Sequence, residues 1–104
     1  MELKKEYRNV CCVYKLINKV NGKIMIGCTT NMYARVCHYR TDIHKHNPLK
    51  HYNFELYNDI VKYGIDNFEF EIIEQFDNIS DIDLKNKEKY YILKYLLKYV
   101  HIYI

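Results

Sequence analysis

Hydrophobic and polar residues alternate along the first third of the chain in the manner of a β-hairpin. Residues 10–20 and 23–28 are rich in β-branched and aromatic side chains, which favour strands. Asn21 and Gly22 stand between these segments. An Asn-Gly pair favours a two-residue turn because both positions readily adopt a positive φ. The pattern predicts two antiparallel strands joined at this pair.

The two-residue turn fixes a register for the predicted hairpin. It places Asn18 opposite Met25. Leu16 then stands opposite Gly27, and the missing side chain of Gly27 leaves room for another backbone or a phosphate. Tyr14 lies on the same face as Met25, near it but not directly paired. In an arbitrary hairpin, both would be ordinary residues of a sheet face.

Two helices are predicted after the hairpin. Residues 29–31 are suitable N-caps, and a helix is predicted from them to about Lys45, before the break at Pro48. A second helix is predicted over residues 53–63. It ends at Gly64, which suits a left-handed C-terminal cap.

A third strand and a last helix complete the predicted fold. Residues 67–74 alternate apolar and acidic side chains with the period of a strand. Ser80 is placed to cap a helix over residues 81–99. The order β-β-α-α-β-α within 104 residues indicates one α+β domain, residues 1–104, with a small three-stranded antiparallel sheet flanked by helices.

Charge and cysteine usage narrow the class of protein. The net charge of +3 permits a polyanionic partner without requiring one. The four cysteines lack zinc-finger spacing, so we expect free thiols in a reducing intracellular compartment, the cytoplasm or the nucleus. Residues 1–6 are too charged for a signal peptide. The apolar tail, residues 90–104, is too short to span a bilayer, so we expect no membrane partner.

Glu88 occupies an unusual position on the last predicted helix. Helical spacing places this carboxylate inside an apolar arc. The other members of the arc are Leu84, Tyr91, Ile92, Tyr95, Leu96 and Tyr99. A carboxylate there costs several kcal/mol unless it is paired, protonated or bound to a metal. The position favours a metal ligand, with an internal salt bridge or a frayed helix edge as the alternatives.

Arg35 and Tyr39 lie one turn apart on the first predicted helix. The apolar arc of that helix consists of Met32, Val36, Tyr39 and Ile43. Arg35 lies at the edge of the arc. From there it either buries its stem and presents its guanidinium to a phosphate or remains a solvated surface residue.

Several short segments follow the order and spacing of a known family. They are Cys12-Val13-Tyr14, Met25-Ile26-Gly27, Arg35, Tyr63-Gly64 and Glu88-Lys89-Tyr90. Together they resemble the GIY-YIG nuclease superfamily over about residues 10–95. Each segment alone is weak evidence for the family, and the resemblance rests on their shared order and spacing.

The resemblance implies a metal-dependent endonuclease that hydrolyses DNA phosphodiester bonds with water as the nucleophile. By position, Tyr14, Arg35 and Tyr39 match catalytic residues of the family, and Glu88 matches its metal-binding glutamate. A single carboxylate suits Mg²⁺ (or Mn²⁺), which keeps much of its hydration shell. We expect Arg35, Tyr39 and Glu88 to converge on the sheet face of Tyr14. The cation and Arg35 would lower the pKa of Tyr14.

The resemblance also implies contacts with DNA. Gly27, Thr29, His38 and Lys45 border the expected site and are candidates for contact with the DNA backbone. The chain leaves no residues for a sequence-reading module, so a separate protein is expected to supply specificity.

Two positions depart from the family pattern. Met25 stands where the family has tyrosine, which removes a hydroxyl, and Cys12 replaces a glycine. The alternative is therefore a catalytically inactive relative that binds nucleic acid or protein. The retained Glu88 favours the enzyme, because an inactive domain has no chemical reason to keep a carboxylate in an apolar arc.

Overall fold

Three strands and three helices form the described part of the chain. The computed structural model describes residues 3–42, 54–98 and 101–103. The elements are β1 (Cys11–Asn18), β2 (Ile24–Thr29), α1 (Met32–Asp42), α2 (Phe54–Tyr63), β3 (Phe68–Phe76) and α3 (Asp81–Leu96). Single 3₁₀ turns, Lys5–Tyr7 and Ile65–Asn67, precede β1 and β3. This order confirms the predicted α+β fold.

β1 is the central strand of an antiparallel sheet with the order β2-β1-β3. Its side chains alternate between the two faces, so each face has its own hydrophobic cluster. The cluster on one face joins the sheet to α1 and α2 and includes Tyr14, Leu16, Met32, Val36, Tyr39, Leu56, Ile60 and Phe70. The cluster on the other face joins the sheet to α3 and includes Val13, Ile24, Ile26, Cys28 and Leu84.

The predicted register of the hairpin is wrong by two residues. Leu16 pairs with Met25, and Tyr14 pairs with Gly27. Because side chains alternate with a period of two, this shift leaves every side chain on its predicted face. Tyr14 and Met25 therefore share a face as expected, but the direct partner of Tyr14 is a glycine.

The longer turn has a local cause in the side chain of Asn18. The backbone N–H of Asn18 donates to the Lys23 carbonyl at 2.8 Å, which leaves residues 19–22 in the turn. The Asn18 side-chain oxygen accepts from the N–H of Val20 at 3.0 Å. Of the Asn-Gly pair, Gly22 alone adopts a positive φ, +77°. The two-residue geometry needs positive φ at both positions, so the asparagine-anchored turn forms instead.

The C-terminal residues pair with the outer edge of β2. Ile102 bridges Ile24 in parallel, and both are buried. The Tyr103 hydroxyl accepts from the side-chain amide of Asn18 at 3.1 Å and donates to Asp59 at 2.5 Å. Ile102 and Tyr103 thus belong to the core and tie the hairpin turn to α2, whereas Tyr90, Leu93 and Leu97 of the same apolar segment are exposed.

The helix ends follow the predicted caps where the structure describes them. The Ser80 hydroxyl accepts from the N–H of Asp83 at 3.1 Å and begins α3. Gly64 ends α2 with a φ of +87°. The predicted end of α1 near Lys45 and its break at Pro48 lie outside the described residues.

The four cysteines and the lengths of the helices bear on the predictions drawn from composition. Cys11, Cys12, Cys28 and Cys37 are free thiols. Within residues 3–42, 54–98 and 101–103, no helix has the length and apolar composition needed to cross a bilayer.

The hydroxyl of Tyr103 provides a test of the tail's role. Tyr103→Phe leaves the fully buried amide of Asn18 without its partner, so we expect the free energy of unfolding to fall by about 1–3 kcal/mol. Chemical denaturation measures this change. Tyr90→Phe is the control, because the ring of Tyr90 is exposed and its substitution should change stability by less than about 0.5 kcal/mol. Equal effects of the two changes would contradict a structural role for the Tyr103 hydroxyl.

Candidate active site

Tyr14 lies directly across the backbone of Gly27. The side chain is buried, and a Cβ added at Gly27 would stand 2.6 Å from its hydroxyl oxygen and 2.7 Å from Cζ. Such distances are far below van der Waals contact, so only glycine fits beneath the ring. The ring of Tyr14 fills the space beside Gly27 that was expected to receive a phosphate, and DNA contact at Gly27 stays a prediction.

Tyr39 reaches the same face from α1. Its hydroxyl hydrogen-bonds with the Tyr14 hydroxyl and lies 3.8 Å from the sulfur of Met25, which is placed to accept from it. Both tyrosine rings pack edge-on against Phe70, each with a centroid separation of 5.3 Å and an interplanar angle of 67°. Phe70 therefore fixes the two rings relative to each other.

Arg35 is placed by the first turn of α1. The side chain of Asn31 caps this helix by accepting from the N–H of Ala34 at 3.2 Å. Arg35 follows one turn later and is half-buried. Its positive charge lowers the pKa of both Tyr14 and Cys28. The guanidinium is thus close enough to act electrostatically on both groups.

Glu88 approaches from the other side of the sheet, which corrects the expectation that it shares the face of Tyr14. α3 packs against the cluster that contains Cys28 and Leu84, and Glu88 follows Leu84 by one turn. Burial, and after it the nearby Glu88 carboxylate, raise the pKa of the Cys28 thiol to about 11. Its charge also acts on Tyr14, whose hydroxyl crosses β2 above Gly27.

The surroundings of Glu88 bear on the alternatives for this carboxylate. Its side chain retains 20% exposure, and Oε1 lies 3.8 Å from Nζ of Lys85, which is 66% exposed. An ion pair with so exposed a lysine contributes little to stability. The predicted placement inside the apolar arc is correct, because Leu84 is buried and Tyr91 and Ile92 are half-buried. The carboxylate therefore remains available to a cation.

The pKa of Tyr14 is raised rather than lowered. Burial is the main cause and takes it to about 12, against the opposing effects of Arg35 and of the Tyr39 hydrogen bond. Arg35 lowers the pKa of Tyr14 as expected, but in the protein alone desolvation of the phenolate outweighs one nearby cation. At neutral pH Tyr14 is a phenol.

The donor set around Glu88 fits a cation that keeps most of its water. Among the described residues, no group of three or more His, Cys, Asp or Glu side chains is arranged to hold a metal. Glu88 supplies one carboxylate, and Cys28 beside it remains a protonated thiol. A single carboxylate with water and substrate oxygens is typical of Mg²⁺ and unlike a structural zinc site.

The remaining residues predicted to contact DNA differ in their surroundings. The Thr29 hydroxyl accepts from the N–H of Asn31 and donates to its carbonyl, both at 3.1 Å, so this buried side chain stabilises the turn before α1, and its contact with DNA stays a prediction. His38 is exposed. Lys45 lies outside the described residues.

Two residues of the site were not predicted from the sequence. The sequence identifies Phe70 only as an apolar position in the alternation of β3, and this alternation does not indicate what the ring packs against. Cys28 follows Gly27 directly, and its side chain therefore points to the opposite face. Its contact with Glu88 depends on how α3 packs, which no short pattern specifies.

The contact between Tyr14 and Gly27 is testable by mutation. Gly27→Ala forces a methyl group into a buried ring, and we expect a loss of about 1–3 kcal/mol in the free energy of unfolding. In a Tyr14→Leu background the same change should cost clearly less, because the ring is gone. Chemical denaturation of the parent, the two single variants and the double variant gives the coupling free energy between positions 14 and 27. Additive losses would show that the alanine does not meet Tyr14.

Comparisons with known proteins agree with this fold. The model of the GIY-YIG catalytic domain family matches residues 10–99. The fold is similar to the catalytic domain of the homing endonuclease I-TevI, with a TM-score of 0.70 and 22% identity over 89% of this chain and 95% of that one. A glutamate-to-alanine mutant of the catalytic domain of intron endonuclease I-TevI gives a TM-score of 0.73 and 22% identity over 91% and 92%. A comparison with curated proteins finds no match. The family model spans most of the sequence, and the chain belongs to the GIY-YIG catalytic domain family.

Proposed function

We propose that this protein is a divalent-metal-dependent endonuclease that hydrolyses phosphodiester bonds in DNA. The observation that supports it best is the convergence of Arg35, Tyr39 and Glu88 around the hydroxyl of Tyr14. Tyr14 crosses the strand above Gly27, and the charges of Arg35 from α1 and of Glu88 from α3 both act on its hydroxyl. Such a set supplies a positive charge for a phosphate and a polar group for water.

Arg35 has the role of binding and stabilising the phosphate. Its half-buried position shields it from solvent, and a guanidinium presents paired N–H donors that match phosphate oxygens. Preorganised donors at developing negative charge are a major source of catalysis. We assign Arg35 to this position in the reaction.

Tyr14 and Tyr39 have the role of positioning the attacking water. With a pKa near 12 in the protein alone, Tyr14 holds its proton at neutral pH. It therefore orients a water or a phosphate oxygen through its hydroxyl, and Tyr39 fixes that hydroxyl by the hydrogen bond between them. Tyr14 acts as a base only when a nearby cation lowers its pKa.

Glu88 is the residue that would hold the divalent cation. A bound Mg²⁺ or Mn²⁺ supplies charge neutralisation at the phosphate and favours deprotonation of neighbouring groups. Glu88 retains the exposure needed to receive a hydrated cation, and the Cys28 thiol orients its carboxylate by the hydrogen bond between them. The ion pair between Lys85 and this carboxylate is 3.8 Å long, and Lys85 is mostly exposed.

DNA is the substrate class that this assignment favours. The net charge is +3, which supports binding to a phosphate backbone without sequence readout. A separate protein would then supply specificity. The free thiols suit a reducing intracellular compartment.

A second function, an inactive module that binds nucleic acid or protein, is favoured by Met25. Its sulfur is placed to accept from the Tyr39 hydroxyl at 3.8 Å, where a tyrosine would supply a second hydroxyl. A thioether is only a weak acceptor and donates no proton. Activity then depends on whether Tyr14 and Tyr39 suffice.

Glu88→Gln distinguishes a metal ligand from a structural carboxylate. We expect nicking of supercoiled plasmid in Mg²⁺ or Mn²⁺, none in EDTA, and a loss of roughly 100-fold or more in the variant. Its free energy of unfolding should stay within about 1 kcal/mol of the parent, because Lys85 is exposed. Glu71→Gln removes an exposed carboxylate paired with Lys15 at 3.6 Å and should cleave normally. Undiminished nicking by Glu88→Gln, or a large loss of its stability without metal, would refute the assignment.

Met25→Tyr tests whether the thioether limits the reaction. Met25 is half-buried, so a ring is accommodated there better than in a closed core. The added hydroxyl should raise the nicking rate, by up to about 10²–10⁴-fold. Met25→Phe is the matched control and should give no increase, and Tyr14→Phe should abolish the gain. A folded Met25→Tyr protein that binds DNA and Mn²⁺ but never cuts would favour the inactive module.

A further inference from the structure

The outer side of α3 carries a stripe of exposed apolar residues. Five of the seven large hydrophobic side chains that are exposed in the described part of the chain lie on α3 or at its C-cap. Four of them form the stripe: Ile82 is 75% exposed, Tyr90 55%, Leu93 64% and Leu97 90%. So much apolar surface on one helix is typical of an interaction site.

The stripe has the spacing of a helix-packing seam. With Asn86, its members follow intervals of four, four, three and four residues. At about 100° per residue they span an arc of about 80°. Leu84 and Tyr95, which pack against the sheet, lie on the opposite side. α3 is therefore apolar on two sides, and only one of them is covered by described residues.

A groove adjoins the stripe near the beginning of α3. It has a volume of about 480 Å³ and is lined by Phe76, Ile79, Asn86 and Tyr90 among others. Asn86 and Tyr90 belong to the stripe as well. A side chain of a partner that packs along the stripe could therefore enter the groove.

Lysines border the stripe on both sides. Helical spacing puts Lys85 and Lys89 on one flank and Lys87, Lys94 and Lys98 on the other. Asp83, in the first turn, is the acidic residue on these flanks. Lys85 and Lys87 contact Glu88 and Glu74 only at 3.8 Å. The flanks are thus complementary to an acidic surface.

We propose that this stripe docks an amphipathic helix of another protein, whose apolar seam is bordered by Asp or Glu. A second copy of this chain fits poorly, since pairing the stripes sets lysines against lysines in either orientation. A lipid surface also fits poorly, because interfacial helices need a wider apolar face. The docking surface lies on the side of α3 that faces away from Glu88 and the sheet.

The test uses two synthetic helical peptides of about three heptads with leucine at the seam positions. One carries glutamate and the other lysine beside the seam. Fluorescence anisotropy with the full chain should show binding of the acidic peptide alone. Leu93→Gln should weaken it by roughly tenfold or more. Val61→Gln, an equally exposed residue of α2, should leave binding unchanged. Lys89→Glu with Lys94→Glu should remove the preference for the acidic peptide, because it brings the net charge of the flanks to about zero.

Several results would overturn the proposal. These are no binding of the acidic peptide, equal binding of both peptides, or binding that Leu93→Gln leaves intact in a protein with a native circular dichroism spectrum. Sedimentation that shows a dimer lost in Leu93→Gln would identify a second copy as the occupant. Retention on phosphatidylserine vesicles that is lost in the same variant would identify a lipid surface.

Discussion

The close packing of Tyr14 on Gly27 is the constraint on which the candidate site depends. A ring that crosses a neighbouring strand at van der Waals distance needs a position without a side chain, and the register of β1 and β2 supplies it. That crossing carries the hydroxyl over the edge strand, where groups from both sides of the sheet act on it. Arg35 and Tyr39 reach it from α1, and the charge of Glu88 acts from α3.

The same packing places the Tyr14 hydroxyl under opposing electrostatic effects. Burial keeps Tyr14 protonated, while Arg35 and Tyr39 favour its anion and Glu88 disfavours it. A divalent cation beside Glu88 would reverse the effect of that carboxylate, because the bound pair is net positive. In the proposed enzyme, a cation at Glu88 would thus lower the pKa of the Tyr14 phenol from the opposite face of the sheet.

Much of the fold follows from local sequence, and the site follows from it less completely. The alternation of apolar and polar residues, the helix N-caps and Gly64 were sufficient to predict the order of the elements. They also predicted the side of the sheet on which Tyr14 lies. The turn was mispredicted because the Asn18 side chain accepts from Val20 within the turn, and its amide is held by Tyr103 from the other end of the chain, a contact that no local pattern contains. The face from which Glu88 approaches was also missed, because helical spacing shows which side of α3 is apolar but not which sheet face it covers.

A titration of the protein with Mn²⁺ followed by NMR tests the proposed metal site at Glu88 most directly, since the paramagnetic ion broadens the signals of nearby nuclei. We expect the backbone signals of Gly27, Cys28 and Glu88 to broaden first, and Glu88→Gln to abolish this effect. Initial broadening at Glu69 and Glu71, the acidic positions of β3, would contradict it. So would the absence of any localised broadening.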